Sequence, residues 1–327
     1  MSDPKSIAIV GLGAIGGWAA AKLAQAGHRV SAVARGQTLA AIKAQGLRYA
    51  DADGEQAIAI TADDDAGQLG PQDIVIVAVK GPALAAASAS VGPLIGPDTV
   101  VIPMMNGVPW WFLLDRDPQP LQSIDPTGEI ARNIPTDRVI GCVVHASCAS
   151  PSPGHIVHKN GNGLIVGEPK GRASDRLAMV AALFRDASFA VTESGRIQYD
   201  IWYKLWGNMT MNPISALTGA TCDKILDDAQ VRGFILQVMG EAAAVGAQIG
   251  CAISESGEDR NAVTRKLGAF KTSMLQDVEA GRQVEIDALV AAPREIAQRV
   301  VVATPAMDAL LGLSRLFAQT RGLYPAQ

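Results

Sequence analysis

The chain has 327 residues, 48% of them hydrophobic and 18% charged, which is enough apolar material for the sizeable cores of two domains. Its formal net charge of −4, without a long run of like charge, excludes nucleic-acid binding through broad neutralisation of phosphates. No apolar run beyond the first strand-turn-helix segment approaches the roughly 18 residues of a membrane span. Four scattered cysteines without a CxxC pair favour free thiols and a cytoplasmic protein.

The N-terminal segment predicts a dinucleotide-binding unit. A short apolar strand at 7–10 is followed by a G-x-G-x-x-G turn, an alanine-rich helix and a second strand at 29–34. In such a turn the glycines permit a tight bend, close approach to a pyrophosphate and close packing of helix on strand, and the helix N-terminus offers its amides to the anion. The residues that we expect to contact the cofactor here are Gly11, Gly13, Ala14, Ile15 and Gly16.

Arg35 stands at the end of the second strand, where an acidic residue would bind the ribose 2′-hydroxyl of NAD. A guanidinium there pairs with the 2′-phosphate of NADP instead. The sequence therefore predicts NADP(H) as the cofactor, the alternative being an exposed arginine that merely follows the strand.

Two further strands end in candidate cofactor residues. The run 73–79 reads as a central parallel strand and ends at Lys80, and the strand 99–102 leads to Asn106-Gly107. Ligands of open α/β sheets lie beyond the carboxyl ends of the strands, so we expect Lys80 and Asn106 to face the cofactor. For Asn106 a plain Asn-Gly turn is the alternative.

Residues 121–169 are rich in strand patterns, followed by a helix at about 174–187 and a strand at 189–192. The three histidines in this region have no acidic or cysteine partner at ligand spacing, so we expect no metal site. The predicted first domain, an α/β Rossmann-type doubly wound sheet, covers residues 1–193.

The second predicted domain, residues 194–327, is all-helical, with helices at about 196–217, 224–250, 258–279, 283–300 and 305–319. Its first helix carries Lys204, Asn208 and Asn212 at four-residue spacing, which places a lysine and two amides on one face. A solvated stripe on an amphipathic helix is the alternative. Amides add hydrogen-bonding groups without charge, however, which favours a site for a small, oxygen-rich molecule.

Six motifs in order, spread over almost the whole chain, resemble the ketopantoate reductases (2-dehydropantoate 2-reductases). They are G-L-G-A-I-G near the start, A-V-K at 78–80, N-G at 106–107, W-Y-K-L-x-x-N-x-x-x-N-P at 202–213, S-M-x-x-D at 273–277 and G-R-x-x-E-I-D at 281–287.

The resemblance implies NADPH-dependent reduction of a 2-keto acid to a 2-hydroxy acid. Matched by position, Lys204 and Glu285 are the expected catalytic residues, and Asn208, Asn212 and Ser273 the expected substrate ligands, with Asn106 at the substrate or the cofactor. Arg35 and Lys80 are expected near the adenosine phosphate. A small-molecule keto acid is the expected partner, with a homodimer as the possible assembly and with neither nucleic acid nor membrane.

Departures from the family pattern concern the substrate. Val290 and Ala291 stand where Asn-Gly often follows E-I-D, Phe270 precedes the Ser-Met motif, and Trp110-Trp111 follow the Asn-Gly turn. They suggest a keto acid bulkier or more apolar than ketopantoate. Two alternative functions are a 3-hydroxy acid dehydrogenase, which can share this plan and its lysine, and a non-catalytic NADP-binding regulatory protein.

Overall fold

A computed structural model describes residues 3–325 of the chain. The chain divides into two compact units. The first contains the chain up to Met105 together with Trp111–Pro118 and Thr127–Ile197. The second contains Asn106–Trp110, Gln119–Pro126 and the chain from Gln198 onward. Two short stretches inside the predicted first domain therefore belong to the helical unit.

A five-stranded parallel sheet forms the centre of the first unit. Its strands, with the order β5-β2-β1-β6-β7, are β1 (Ser6–Val10), β2 (Arg29–Val33), β5 (Thr61–Asp63), β6 (Gln72–Val77) and β7 (Ile95–Pro103). The β-branched runs of β1 and β6 are buried on both faces, as expected of central parallel strands. Because the chain leaves β1 toward β2 and later returns on the other side as β6, the order reverses beside β1. Ligands of such sheets bind at this reversal.

A second sheet in the same unit was not part of the sequence prediction. It consists of β3 (Leu47–Asp51), β4 (Gly54–Ile58), β8 (Gly141–Ser152), β9 (His155–Gly167) and β10 (Ala190–Ser194). Strands β8 and β9 form a long antiparallel hairpin within the region 121–169 that the sequence predicts to be rich in strands. Helix α1 (Ala14–Gln25) packs against strands of both sheets, and Trp18 at its centre is fully buried.

The remaining helices of the first unit are short apart from two. They are α2 (Gly36–Gln45), α3 (Leu84–Ser88), α4 (Glu129–Asn133) and α5 (Asp175–Asp186). Ser174 caps α5 by accepting a hydrogen bond from the Leu177 amide at 3.1 Å. The buried face of α5, which includes Phe184, completes a core shared with α1 and the second sheet.

The second unit is helical, as predicted. Its helices are α6 (Ile197–Thr218), α7 (Cys222–Asp227), α8 (Ala229–Gln248), α9 (Gly257–Arg265), α10 (Ser273–Glu279), α11 (Ala292–Arg299) and α12 (Pro305–Thr320). A π-helical turn, Asp287–Ala291, precedes α11. The fold class, a parallel-sheet α/β unit followed by an all-helical region, is confirmed.

Two predicted helices of this unit are divided. Asp228 ends the first part of the segment predicted at 224–250 and caps α8 through the Gln230 and Val231 amides. The segment predicted at 258–279 is interrupted after Arg265, and Thr272 starts α10 by accepting from the Leu275 amide. In both segments a capping side chain starts a new helix, although the apolar periodicity continues across the break. Within residues 3–325, no helix combines the length and apolarity needed to cross a bilayer.

Candidate active site

The turn after β1 has the backbone shape that the glycine motif predicts. Gly11 has φ +101°, and a Cβ on it would lie 2.7 Å from the Val79 side chain. At Gly16, on the first turn of α1, a Cβ would lie 2.0 Å from the carbonyl oxygen of Gly11. Both glycines are therefore required for the tight packing of strand, turn and helix.

Gly13 differs from its two neighbours in the motif. A Cβ at Gly13 would meet no atom of the described part of the chain within 4 Å. The residue is exposed, lies at the N-cap of α1, and precedes amides of Ala14 and Ile15 that begin the helix without an intrahelical acceptor. The first turn of α1 contains no acidic residue. Open space, amides without an intrahelical acceptor and the positive end of the helix dipole fit a pyrophosphate at this turn.

Arg35 and Lys80 lie on either side of this turn along the sheet. Arg35 lies two residues after the end of β2 and Lys80 three residues after the end of β6, and these strands pair with the two sides of β1. Parallel strands end at the same edge, so both cations flank the glycine turn at the reversal point of the sheet. The exposed Arg35 guanidinium donates to the Ser90 hydroxyl at 3.2 Å. Ser90, which was not among the predicted site residues, follows α3 in a run of small residues.

The face of α6 opposite Lys204 fixes this helix in the second unit. Trp202 and Trp206 lie about 200° around the helix from Lys204 and are 1% and 2% exposed. Their indole N–H groups donate to the carbonyls of Ala242 (3.2 Å) and Met239 (2.7 Å) on α8. Because this face is buried on α8, the stripe with Lys204 is directed away from α8.

Lys204 has a hydrogen-bond partner that is distant in the sequence. Its Nζ donates to Oδ1 of Asn106 at 2.8 Å, and both side chains are half-buried. Asn106, predicted to face the cofactor, is thus grouped with the helical unit and contacts the lysine. Gly107 has φ +80°, and a Cβ on it would lie 2.4 Å from the Ala288 carbonyl oxygen. That carbonyl accepts from the Val108 amide at 2.9 Å, which anchors the Asn-Gly turn to the π-helical turn.

The two amides of the stripe differ in exposure. Asn208 is half-buried, whereas Asn212 is 6% exposed and precedes Pro213, which lies inside the helix and has no N–H to donate. Tyr203, the neighbour of Lys204, donates its hydroxyl to Glu255 at 2.6 Å. Burial, together with this hydrogen bond, raises the pKa of Tyr203 to about 12, so its phenol stays protonated at neutral pH.

Ser273 and Glu285 lie on either side of a bend at Gly281. Gly281 has φ +63°, and Arg282 holds the bend through a hydrogen-bonded ion pair with the buried Asp277 at 2.9 Å. Ser273 is exposed at the first position of α10, and the half-buried Glu285 lies two residues before the π-helical turn. π-helical turns are often found at functional sites.

The residues that depart from the family pattern are mostly interior. Val290 and Ala291 belong to the π-helical turn and are at most 4% exposed, and Trp110 and Trp111 are each 1% exposed. Phe270 is half-buried, and its carbonyl accepts from the Cys222 amide at 3.0 Å. Among residues 3–325, no three His, Cys, Asp or Glu side chains are grouped so as to hold a metal ion.

Comparison with known proteins covers both halves of the chain. The family described as "Ketopantoate reductase PanE/ApbA" matches residues 7–171, and "Ketopantoate reductase PanE/ApbA C terminal" matches residues 196–318. A 2-dehydropantoate 2-reductase of Mesorhizobium japonicum is 42% identical over 324 residues, 97% of this chain and 99% of the relative.

Two crystal structures have the same fold over nearly their full length. A protein of Ralstonia solanacearum MolK2, described as a candidate ketopantoate reductase, is 57% identical and superposes with a TM-score of 0.94, covering 98% of this chain and 100% of the other. A 2-dehydropantoate 2-reductase from Methylococcus capsulatus is 28% identical, with a TM-score of 0.83 and 97% of each chain covered. The chain therefore belongs to the ketopantoate reductase family of NADPH-dependent keto acid reductases, as its motifs predict.

Proposed function

We propose that this protein reduces a 2-keto acid, either ketopantoate or a related bulkier keto acid, to the 2-hydroxy acid, with Lys204 as the proton donor. The observation that carries the proposal is the half-buried Lys204 ammonium, held 2.8 Å from the Asn106 amide oxygen on a helix face that also carries Asn208 and Asn212. A cation fixed in this way is ready to stabilise a developing oxyanion without first reorganising.

NADPH, when bound, supplies the hydride that converts the keto carbon to a secondary alcohol carbon. Negative charge then grows on the former carbonyl oxygen. The Lys204 ammonium stabilises that charge and gives the oxygen one proton, which completes the hydroxyl group and leaves a neutral amine that is reprotonated from solvent. The Asn106 amide oxygen orients the ammonium but accepts no proton in the reaction, because an amide oxygen is not a base at neutral pH.

The other polar residues of the second unit have supporting roles in this proposal. Asn208, Asn212 and Ser273 bind the substrate carboxylate, because amide N–H groups and a hydroxyl can donate to it without adding charge. Glu285 orients Lys204 or accepts from the product hydroxyl.

Cofactor binding is assigned to the first unit. The amides at the start of α1 hold the pyrophosphate next to Gly13, whose missing side chain leaves room for it. Arg35 and Lys80 bind the adenosine phosphate, since both follow strands that flank the turn.

A substrate panel tests the proposal. Ketopantoate, larger 2-keto acids and 3-hydroxy acids are offered with NADPH or NADP, and the nicotinamide absorbance is followed. We expect turnover with 2-keto acids. Turnover confined to 3-hydroxy acids would support the alternative dehydrogenase, and NADPH binding without any turnover would support a regulatory protein.

The proposal includes a cytoplasmic homodimer. Among the described residues, none of the four cysteines forms a disulfide, and three of them are buried, which suits a reducing compartment. Light scattering coupled to size exclusion gives the mass of the assembly, and a monomer at working concentration would contradict this part.

A further inference from the structure

The segment that follows α12 returns to the residues around Glu285. A turn at Gly322, with φ +66°, lets the chain reverse after the helix, and Leu323 is buried. The Leu323 carbonyl accepts from the Val284 amide at 3.1 Å. One residue further, the Tyr324 hydroxyl donates to Oδ1 of Asp287 at 2.5 Å. Glu285 thus lies between two tethers to one short segment.

The tethered segment is also the support of the Asn-Gly turn. Asp287 begins the π-helical turn, and the carbonyl of the next residue, Ala288, holds the Val108 amide and faces Gly107 at close range. Asn106, directly before Gly107, accepts from Lys204. A continuous series of contacts therefore leads from Tyr324 through the start of the π-helical turn to the ammonium group.

The pair itself is a strong constraint. Asp287 and Tyr324 are both half-buried, and a hydroxyl that donates to a carboxylate makes a short, charge-assisted hydrogen bond. Burial raises the pKa of Asp287, while the Tyr324 hydroxyl and the Arg315 guanidinium of α12 act in the opposite direction. Burial and the bond to Asp287 raise the pKa of Tyr324 to about 12, so the phenol keeps its proton at neutral pH.

We propose that Tyr324 is a positioning residue of the reductase: its bond to Asp287 fixes the π-helical turn and thereby places both Glu285 and the Asn106–Lys204 pair. The inference rests on the function proposed above for Lys204 and Glu285. A misplacement of about 1 Å at a reacting group can reduce a rate by about 100-fold.

Four variants test the bond. In Tyr324→Phe and Asp287→Ala we expect kcat to fall roughly 10- to 100-fold, because the proton donor Lys204 is misplaced. KM should change less than about threefold, because the residues proposed to bind the substrate remain. Asp287→Asn keeps an acceptor oxygen and should retain kcat within about threefold. The double variant Tyr324→Phe/Asp287→Ala should be no slower than either single variant, since both remove the same bond.

The matched control is Tyr49→Phe. Tyr49 is a buried tyrosine on β3 whose pKa is raised by burial and by the nearby Asp51, but it belongs to the first unit. The variant Tyr49→Phe should have a lower thermal midpoint than the wild type and the same kcat. The thermal midpoint and the NADPH dissociation constant are measured for every variant, so that a loss of folded protein or of cofactor is distinguished from misplacement.

Hydrogen exchange gives a readout that is independent of activity. The amides of Val284 and Val108 should exchange faster in Tyr324→Phe than in the wild type and keep their wild-type rates in Asp287→Asn. If the wild type reduces 2-keto acids but Tyr324→Phe has unchanged kcat, the positioning role is refuted and the proposed function stands. If the wild type reduces no 2-keto acid, the proposed function fails, and unchanged exchange at both amides would refute the tether as well.

Discussion

Arg35 is the residue that we expect to distinguish NADPH from NADH. It follows β2 at the edge where the glycine turn lies, and its exposed guanidinium is free to bond a phosphate in addition to Ser90. Arg35→Gln should raise the dissociation constant of NADPH about 10-fold, the lower end for a charge-assisted bond in solvent, and leave that of NADH unchanged. Titration by nicotinamide fluorescence at fixed salt measures both.

Arg29 is the matched control for Arg35. It begins the same strand at the opposite edge of the sheet and is also exposed. Arg29→Gln should change neither dissociation constant. An equal loss of NADPH and NADH affinity in Arg35→Gln would show that Arg35 does not bind the 2′-phosphate.

The places of single residues in the fold could be predicted where they follow from local spacing. The stripe of Lys204, Asn208 and Asn212 follows from a period of four residues, and the place of Arg35 follows from the end of a strand. The partner of Lys204 could not be predicted from spacing, because Asn106 is 98 residues away and its position depends on the fit of Gly107 against Ala288. The family resemblance indicated a role for both residues but not the hydrogen bond between them.

At the scale of elements, the three glycines of the turn after β1 should respond differently to alanine. Gly16→Ala places a Cβ 2.0 Å from backbone, so we expect a clear fall in thermal midpoint together with loss of NADPH binding. Gly13→Ala meets nothing within 4 Å among the described residues, so its midpoint should stay close to that of the wild type. Its Cβ would instead occupy the path of the pyrophosphate and weaken NADPH binding about 10-fold or more.

Differential scanning fluorimetry and NADPH titration of the two variants check this contrast. Gly27→Ala is a poor control because of its φ of +89°, whereas Gly240→Ala in α8, with open space around it and helical backbone, is suitable. Unchanged NADPH affinity in Gly13→Ala would contradict the proposal that the pyrophosphate binds at this turn.

Elements with a strong apolar period were predicted within a few residues, and others were missed for physical reasons. Strands β1 and β6 are buried runs rich in β-branched residues, and β2 and β7 each contain a buried stretch with Val or Ile. Strand β4, with the sequence Gly-Glu-Gln-Ala-Ile, is mostly exposed, and pairing with β3 forms it. The break after Arg265 was missed because the apolar periodicity continues across it. The new helix begins at Thr272, whose side chain accepts a hydrogen bond from the Leu275 amide, and apolar periodicity does not reveal such a cap.

At the scale of the whole molecule, Glu295 links stability to pH. Its carboxylate accepts from the amides of Gln122 and Ser123, from the Ser123 hydroxyl and from Arg299, and thereby holds the stretch 119–126 to α11. Burial alone would raise the pKa of Glu295, but the Ser123 and Gln122 donors and Arg299 outweigh burial and lower it below 4.5. Its contribution is therefore present above pH 4.5 and lost as the pH falls through the lower, folded-state value.

Glu295→Gln should lower the free energy of unfolding by about 2 kcal/mol at neutral pH, the usual contribution of hydrogen bonds to a buried charge. The difference from the wild type should begin to shrink below about pH 4.5, where the carboxylate of the unfolded chain takes up a proton, and should vanish once the pH is below the lower, folded-state value. Urea unfolding at several pH values measures it. Glu279→Gln, at an exposed ion pair with Lys271, is the control and should change stability by less than about 1 kcal/mol at any pH. A pH-independent difference for Glu295→Gln would contradict the linkage.

The division into an α/β and a helical unit could be predicted from the change in periodicity near residue 194. The placement of Asn106–Trp110 and Gln119–Pro126 in the helical unit could not be predicted, because short irregular stretches have no periodicity. Long-range hydrogen bonds, such as those of Glu295, join such stretches to that unit. The order of six motifs identified the family where each motif alone was weak.

Lys204 is the proposed source of the proton in keto acid reduction. The most direct test compares steady-state reduction of a 2-keto acid by the wild type, Lys204→Ala and the control Lys224→Ala, an exposed lysine of α7. We predict that kcat falls by about 10²- to 10⁴-fold in Lys204→Ala, the usual contribution of a positioned general acid, with NADPH affinity unchanged and Lys224→Ala like the wild type. Wild-type turnover in Lys204→Ala would contradict the assignment.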